Sequence, residues 1–174
     1  MKVLVLCHGN KYRSPLCMAW LRHYGVEAES MGFVRPDQRA AKPIRIIAAK
    51  QGLDLESHRS RVVTKDQLKS YDVVVWMSLS NLKRLILLSP GGPSPGCAWV
   101  CLGAYLDPPQ PIKDPAFLNP RLSGFKLVVS MIETGSRRLA RAIHAGGAID
   151  RERVIRMRYL IEGASSTWGV WMGQ

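Results

Sequence analysis

A cysteine and an arginine at short spacing are the residues of this chain best suited to chemistry. Cys7 and Arg13 enclose the loop His-Gly-Asn-Lys-Tyr, and Ser14 and Pro15 follow directly. The apolar residues 3–6 predict a buried strand before the cysteine. A serine N-cap with a proline at the first helical position predicts a helix after the loop. The loop can therefore turn its N–H groups towards one point, where the helix dipole adds positive potential.

The chemistry that this arrangement predicts is attack on a bound phosphate. A tetrahedral oxyanion fits the concavity of the loop, and Arg13 can bind two of its oxygens with the paired donors of its guanidinium. The amides, the guanidinium and the helix N-terminus together favour the thiolate form of Cys7, which can attack phosphorus. We therefore predict a cysteine-based phosphatase. The alternative is a buried cysteine that ends a strand before an ordinary turn.

A phosphatase of this kind also needs a group that protonates the leaving alcohol and then activates the water that cleaves the phosphocysteine. Two aspartates that precede proline, Asp107 and Asp114, are the candidates. Because Asp-Pro is also common in turns, a purely structural role stays open for each of them.

Length and composition predict one globular domain with a small appendage. The chain has 174 residues, of which 47% are hydrophobic and 22% are charged, as is usual for globular proteins. No apolar run is long enough for a membrane span, and strand pattern begins at once, so we expect neither a membrane anchor nor a signal peptide. Four cysteines, one of them needed as a thiolate, favour a reducing compartment, and we expect the protein in the cytoplasm.

The net charge of +12 is high for this length. Residues 1–50 hold nine lysines and arginines against three acidic residues, a net charge of +6 around the predicted phosphate loop. This charge can steer a phosphorylated protein, another anionic phosphomonoester or nucleic acid. Nucleic acid is not favoured, because no basic stripe interleaved with aromatic residues is present. A solvated basic surface is the alternative, and nothing in the sequence indicates an oligomeric state.

Strand and helix patterns alternate along the chain. Continuous apolar strands separated by helices predict an α/β fold: a three-layer, doubly wound, four-stranded parallel sheet with helices on both faces. Cys7 then lies at the carboxyl edge of the sheet, where such folds bind ligands. The predicted strands are 2–6, 26–30, 72–77 and 97–105, and the predicted helices are 15–24, 40–51, 80–88 and 122–144.

The chain divides into a predicted catalytic domain, residues 1–144, and a short extension. A Gly-Gly pair at 146–147 follows the last long helix. In residues 145–174 we predict a basic helix at 151–162 and a tail that contains Trp168 and Trp171. Since exposed tryptophans are unfavourable, we expect this extension to pack on the domain or close to it.

Residues 1–144 resemble the low-molecular-weight protein tyrosine phosphatases. The strongest motif is Cys-His-Gly-Asn-Lys-Tyr-Arg-Ser-Pro at residues 7–15, which is similar to the family's nucleophile loop. Further motifs follow in the family's order: Ser-Met-Gly at 30–32, Ser-His-Arg-Ser-Arg at 57–61, Ser-Asn-Leu at 80–82, Leu-Gly-Ala-Tyr at 102–105 and Asp-Pro at 114–115. The resemblance implies this α/β fold and phosphotyrosine hydrolysis through a phosphocysteine.

The resemblance also implies roles for individual residues. Cys7 would be the nucleophile, Arg13 would bind the phosphoryl oxygens and stabilise the transition state, and Asp114 would be the acid and base. Ser14 would donate a hydrogen bond to the thiolate and help it to leave in the second step. No metal ion or other cofactor is implied.

Other residues would bind phosphate or support the loop. Asn10 would hold the loop at positive φ, which asparagine tolerates, and Ser30 and His58 would support the loop from behind. Phe117 would line the phosphotyrosine ring, because Ala116 stands where the family often has an aromatic residue. The residues that the resemblance assigns to phosphate binding are His8, Gly9, Asn10, Lys11, Tyr12 and Ser14.

Two other functions are compatible with parts of the sequence. Arsenate reductases share the nucleophile loop, but their relay cysteines follow soon after the third strand. Cys97 and Cys101 lie instead on the predicted fourth strand, where core packing explains them. A basic phosphate-recognising module without turnover would bind phosphoproteins or nucleic-acid ends. Such a module needs neither a nucleophile nor an acid, so the joint presence of Cys7, Arg13 and Asp114 favours the enzyme.

Overall fold

A computed structural model describes residues 1–146, apart from the side chain of Phe117. Four strands form one parallel sheet in the order β2-β1-β3-β4. The strands are β1 (Lys2–Cys7), β2 (Glu27–Gly32), β3 (Val73–Trp76) and β4 (Ala98–Cys101). The predicted α/β fold with a four-stranded parallel sheet is confirmed.

Both faces of the sheet are covered. Successive side chains of a strand point to opposite faces, yet every residue from Val3 to Cys7 and all four residues of β3 are buried. Burial on both faces is typical of parallel sheets with helical crossovers. The helices are α1 (Arg13–His23), α2 (Lys42–Lys50), α3 (Lys65–Leu68), α4 (Leu79–Leu88) and α5 (Ser123–His144).

The long helix α5 supports α1, which begins at the candidate site. The Ser136 hydroxyl of α5 donates a hydrogen bond to Cys17 Sγ of α1 at 3.2 Å. Gly135 lets α5 approach the end of β4 closely, because a Cβ at this position would lie 3.0 Å from Leu102 Cγ. The helix that carries Arg13 is therefore held by a closely packed neighbour along its buried side.

The predicted fourth strand, 97–105, is too long. The strand ends at Cys101, and Leu102–Tyr105 form a 3-10 helix. All four residues of that helix are buried, and a short apolar run does not distinguish a buried turn from a buried strand. The carbonyl of Gly103 accepts the N–H groups of Leu106 and Gln110. A side chain does not fit at this position, because a Cβ would lie 1.8 Å from Gln110 O.

Two predicted helix starts are also wrong. Helix α1 begins at Arg13 with Tyr12 as N-cap, so Ser14 lies inside the first turn and does not cap it. Helix α4 begins at Leu79, and Ser78 rather than Ser80 is its N-cap. The hydroxyl of Ser14 lies instead within hydrogen-bond distance of Cys7 Sγ. The Ser-Pro pattern, which predicts a helix cap, does not indicate this contact.

The short helix α3 is absent from the sequence prediction, although a signal for it exists. Thr64 and Gln67 form a capping box: the Gln67 N–H donates to Thr64 Oγ1, and the Thr64 N–H donates to Gln67 Oε1. The pattern Thr-x-x-Gln is the known signature of such a helix start. A helix of four residues is too short to show a repeating apolar pattern, so the apolar pattern of the sequence does not predict it.

The long helix α5 ends at the residue that the sequence predicts for it. Helix α5 ends at His144, and Gly146 has a φ of 65°, which is the left-handed conformation that stops helices. The predicted helix 151–162 and the predicted packing of the tail with Trp168 and Trp171 lie outside the described residues. Within residues 1–146, no helix has the length and apolar character that a membrane crossing requires.

Candidate active site

The sheet order brings the ends of β1 and β3 together at the carboxyl edge. The chain leaves β1 towards β2 on one side and returns to β3 on the other, so β1 and β3 flank the switch point at which such sheets bind ligands. Cys7 is the last residue of β1, and Arg13 is the first residue of α1. Residues 8–12 connect them and are called the catalytic loop below.

A chain of hydrogen bonds leads to the sulfur of Cys7. Ser14 Oγ lies 3.0 Å from Cys7 Sγ, and Asn10 Nδ2 donates to the same Ser14 Oγ at 2.9 Å. Because an amide N–H can only donate, the Ser14 oxygen accepts from Asn10, and its hydrogen has two acceptors within reach, Cys7 Sγ and Met31 O, the latter at 3.4 Å. All three side chains are buried. A hydroxyl group therefore lies within hydrogen-bond distance of the sulfur.

Asn10 organises the catalytic loop. Its φ is 51°, as the sequence predicted, in the left-handed region that asparagine tolerates. Its Nδ2 also donates to Ser30 Oγ at 2.9 Å, and its Oδ1 accepts the Arg61 N–H at 3.0 Å. This fully buried side chain therefore ties the loop to β2 and to the segment 57–61.

His58 contacts the backbone of the same asparagine. His58 Nε2 lies 2.9 Å from Asn10 O, and since a carbonyl accepts, Nε2 carries the hydrogen. Burial lowers the pKa of His58 below its ordinary value, so the ring is neutral at neutral pH. Ser30 and His58 thus both contact the catalytic loop, at the positions that the sequence prediction gave them.

Arg13 is 2% exposed, which is unusual for a charged residue. Its Nη1 donates to Ile112 O at 3.2 Å, and its Nη2 forms an ion pair with Asp114 Oδ2. Asp114 Oδ1 accepts the Ala116 N–H at 3.1 Å, at the start of a 3-10 helix. The Ile112 N–H donates to Met77 O at 2.8 Å, just beyond β3, and so anchors this segment to the sheet.

Asp114 is therefore the aspartate that meets the guanidinium. Asp107 is exposed and follows the 3-10 helix Leu102–Tyr105 at the surface. The residue types alone left both aspartates open, and the resemblance pointed to Asp114; the structure shows its contact with Arg13. The carbonyl of Ile112 was not predicted, because a backbone acceptor leaves no signal in the residue types.

The other predicted phosphate-binding residues have different surroundings. His8 is exposed, and Gly9 is half-buried with open space where a Cβ would be. Tyr12 packs against the hydrophobic core. Lys11 Nζ donates to Gln38 Oε1 at 3.1 Å, so this side chain is held by a neighbouring loop.

Phe117 is the last residue of the 3-10 helix Pro115–Phe117, directly after Asp114 and its proline. Its side chain lies outside the described part of the structure, so a contact with a substrate ring remains a prediction. Among residues 1–146, no three His, Cys, Asp or Glu side chains form a group that could hold a metal ion.

The three remaining cysteines lie in apolar surroundings. Burial raises the pKa of Cys17 and of Cys101 to about 12, and that of Cys97 to about 11. These groups are therefore thiols at neutral pH, and a thiol is a poor nucleophile. Cys97 and Cys101 flank β4, which β3 separates from β1 and Cys7. This arrangement does not provide the reactive relay that arsenate reduction needs.

A buried guanidinium that contacts a carboxyl group beside a hydrogen-bonded thiol is the arrangement of a cysteine-dependent phosphatase. The family model of the low molecular weight phosphotyrosine protein phosphatases matches residues 2–149. The low molecular weight protein-tyrosine-phosphatase Wzb of Escherichia coli strain K12 is 30% identical over 146 residues, which cover 82% of this chain and 95% of Wzb. The chain belongs to the low molecular weight phosphotyrosine protein phosphatase family. It is a cysteine-based phosphatase, and the reaction of this family passes through a phosphocysteine.

Solved structures have the same fold. The tyrosine phosphatase Wzb from Escherichia coli K30, in complex with sulphate, is 28% identical with a TM-score of 0.72, and the match covers 82% of this chain and 97% of that one. A Drosophila arginine phosphatase is 25% identical with a TM-score of 0.73, and the match covers 86% of this chain and all of that one. One neighbour is named for tyrosine and the other for arginine. The fold alone therefore does not identify the phosphorylated residue that is hydrolysed.

Gly32, at the end of β2, lies so close to the catalytic loop that a side chain does not fit. A Cβ there would lie 2.8 Å from Asn10 N and 2.9 Å from His8 O, which are backbone atoms. We expect Gly32→Ala to displace the loop, to lower the free energy of unfolding by about 1–3 kcal/mol, and to reduce kcat/KM for p-nitrophenyl phosphate by about tenfold or more. Thermal unfolding and steady-state kinetics measure the two effects.

The matched control is Gly91→Ala, because a Cβ at Gly91 meets no atom within 4 Å. We expect this variant to keep the stability and the activity of the wild type. Equal losses in both variants would contradict the close packing of Gly32 against the loop as the cause.

Proposed function

We propose that this chain hydrolyses phosphotyrosine in proteins, with Cys7 as nucleophile, Arg13 as phosphoryl-binding residue and Asp114 as acid and base. The observation that carries the proposal is the ion pair of the buried Arg13 with Asp114, in a chain whose Ser14 Oγ lies 3.0 Å from Cys7 Sγ. The Wzb structure holds sulphate, a tetrahedral oxyanion like phosphate, which supports an oxyanion site in this fold.

In the first half-reaction, the Cys7 thiolate attacks phosphorus, and the bond from phosphorus to the phenolic oxygen breaks. The Arg13 guanidinium and the amides of the catalytic loop stabilise the charge on the other three oxygens. Asp114 contacts the guanidinium that holds the phosphoryl group. For this step Asp114 must carry a proton, so its carboxyl group leaves the ion pair when the phosphoryl oxygens take its place on the guanidinium. The protonated carboxyl group then protonates the leaving phenolic oxygen, which gives tyrosine and a phosphocysteine.

In the second half-reaction, a water molecule attacks phosphorus and transfers a proton to the Asp114 carboxylate. The bond between phosphorus and sulfur breaks, inorganic phosphate forms, and Cys7 leaves as a thiolate. The Ser14 hydroxyl can donate to the departing sulfur, because Asn10 Nδ2 occupies the other side of its oxygen. Asn10 is therefore a positioning residue for the leaving thiolate.

Charge in the catalytic loop favours phosphotyrosine over phosphoarginine. The leaving group of phosphoarginine is a guanidine that becomes a cation when it is protonated, whereas the leaving phenol is neutral. Lys11 adds an ammonium group to the loop, which the described residues do not neutralise with an ion pair. Like charges repel most strongly in a partly buried site, so this loop disfavours a cationic leaving group.

We also propose that the protein acts in the cytoplasm. The mechanism needs Cys7 as a free thiolate, and all four cysteines of the chain are free thiols in the structure. An oxidising compartment would convert exposed or reactive thiols to disulfides. The natural substrate would then be a phosphorylated protein of the same compartment.

The test is a comparison of kcat/KM for one peptide sequence that carries phosphotyrosine, phosphoserine or phosphoarginine. We expect phosphotyrosine to be hydrolysed fastest, by about 100-fold or more over phosphoserine, because a phenol with a pKa of about 10 is a better leaving group than an aliphatic alcohol. Preference for phosphoarginine would overturn the substrate assignment. Preference for a 5′-phosphorylated oligonucleotide would move the substrate to nucleic-acid ends.

A further inference from the structure

Lys11 is a cation of the catalytic loop whose charge no acidic residue neutralises. Its backbone carbonyl accepts the Ala41 N–H at 2.9 Å, and its ammonium donates one hydrogen to Gln38 Oε1 at 3.1 Å. No carboxylate of residues 1–146 forms an ion pair with it. An ammonium has three donors, so two hydrogens of Lys11 remain for a ligand.

The acidic residues nearest in the described structure contact other cations. Asp37, in the same loop as Arg35, lies 4.0 Å from Arg59 and is largely exposed. Glu56 pairs with two arginines, Arg39 at 2.7 Å and Arg45 at 2.5 Å. Glu29 pairs with Arg61 at 2.8 Å, and the hydrogen bond from Arg61 lowers the pKa of Glu29 to about 2. These two carboxylates are therefore engaged by their own arginines. The surplus positive charge therefore remains on residues without an acidic partner.

Arg35 is a second cation for which the described residues show no ion pair, and it lies in the loop whose Gln38 accepts a hydrogen bond from the Lys11 ammonium. A buried serine fixes this loop. Ser60 Oγ donates to Arg35 O at 2.7 Å and accepts the Gln38 N–H at 2.9 Å. The backbone of Ser60 bonds to the same loop twice, with Asp37 N at 2.7 Å and Gln38 O at 2.8 Å. Arg35 has a φ of 56°, which is costly for a residue with a side chain and persists only where contacts enforce it.

The segment 57–61, which contains Ser60, therefore contacts two loops. His58 and Arg61 contact Asn10 in the catalytic loop, and Ser60 between them contacts the loop that carries Arg35 and Gln38. Lys11 belongs to the catalytic loop itself, two residues before Arg13, the first residue of α1. Exposed charges interact with a bound anion only within about one Debye length, about 8 Å at physiological ionic strength, so a loop position is where a second cation can act.

We propose that Lys11 and Arg35 form an anion subsite beside the phosphate pocket, so that the preferred substrates carry a second negative charge close to the phosphorylated residue. The second charge is an aspartate, a glutamate or another phosphorylated residue of the same protein. Gln38 and Ser60 are positioning residues, because they hold the ammonium and the loop in place. This inference rests on the proposed hydrolysis of phosphotyrosine in proteins.

The experiment uses two phosphotyrosine peptides that differ only in having two glutamates or two glutamines next to the phosphotyrosine. The measured quantity is the ratio of kcat/KM for the acidic peptide to kcat/KM for the neutral peptide. A substitution that disturbs catalysis in general lowers both values equally and leaves this ratio unchanged. We expect a ratio of several-fold for the wild type at low salt, and a ratio close to one at 0.5 M sodium chloride.

We expect Lys11→Gln and Arg35→Gln each to reduce this ratio by about threefold, the size of an effect from one partly exposed ion pair. The matched control is Lys50→Gln, which removes one positive charge at the other end of α2. Lys50 is exposed and lies about 12 Å along the helix from its start, beyond the screening distance. We expect this control to keep the ratio of the wild type.

A wild-type ratio of one at low salt would overturn the anion subsite and leave the proposed function intact. If Lys50→Gln lowered the ratio as much as Lys11→Gln, the anion subsite would also be overturned. The preference for the acidic peptide would then come from the net charge of the protein and not from a local site. Hydrolysis of p-nitrophenyl phosphate but of neither peptide would overturn the proposed function and, with it, this inference.

Discussion

Cys7→Ser is expected to lower kcat for p-nitrophenyl phosphate by about 10⁴-fold or more, because a serine hydroxyl at this place lacks a base that would activate it. Binding of inorganic phosphate should persist, since the amides of the catalytic loop and the guanidinium of Arg13 are unchanged. Steady-state kinetics and calorimetric titration with phosphate measure the two properties. The combination of lost turnover with retained binding is specific to the loss of a nucleophile.

The matched control is Cys97→Ser, which makes the same chemical change beside β4. Cys97 is partly buried, and β3 separates its strand from Cys7. We expect this variant to keep at least half of the activity of the wild type. If Cys7→Ser kept more than a few per cent of the activity, the covalent mechanism would be wrong.

Asp114→Asn is expected to separate substrates by the quality of their leaving groups. A poor leaving group, such as the alcohol of an alkyl phosphate, needs a proton during cleavage, whereas p-nitrophenol needs little. We expect kcat for phenyl phosphate to fall by about 10²-fold to 10³-fold and kcat for p-nitrophenyl phosphate to fall by about tenfold. Rates measured over a series of substituted phenyl phosphates should depend more steeply on the pKa of the phenol than they do in the wild type.

Asp107→Asn is the control for this assignment. Asp107 is exposed and stands before a proline, as Asp114 does, but it lies beyond the 3-10 helix Leu102–Tyr105. We expect its substitution to leave the leaving-group dependence unchanged. The reverse pattern in the two variants would assign proton transfer to Asp107.

The local pattern of the sequence was sufficient for the sheet and for the centre of the site. Strands with continuous apolar runs, such as residues 73–76, can be recognised because burial on both faces demands apolar residues at every position. Cys7 and Arg13 can be recognised because a strand, a short loop and a helix start fix their relation within a few residues. The positive φ of Asn10 could also be predicted, since few other side chains tolerate that conformation.

Contacts between distant parts of the chain could not be read in this way. Arg13 meets Ile112 and Asp114 about 100 residues later. The residue types around the two aspartates do not show which of them contacts the guanidinium, and only the resemblance pointed to Asp114. Only the closure of the sheet and the anchoring of Ile112 to Met77 bring Asp114 to the guanidinium. Ser60 is a similar case, because its hydroxyl has no recognisable role until the chain brings it to Arg35 and Gln38.

The sequence by itself indicated the proposed nucleophile and its arginine, because both residues and the loop between them lie within seven residues. Only the tertiary structure shows that Asp114 contacts the guanidinium of Arg13, that Tyr12 rather than Ser14 occupies the N-cap of α1, and that Gln38 rather than a carboxylate contacts the ammonium of Lys11. The physical reason is that these properties depend on the distances between segments remote in sequence. A hydrogen bond or an ion pair exists only within about 3–4 Å, and residue types do not record such distances.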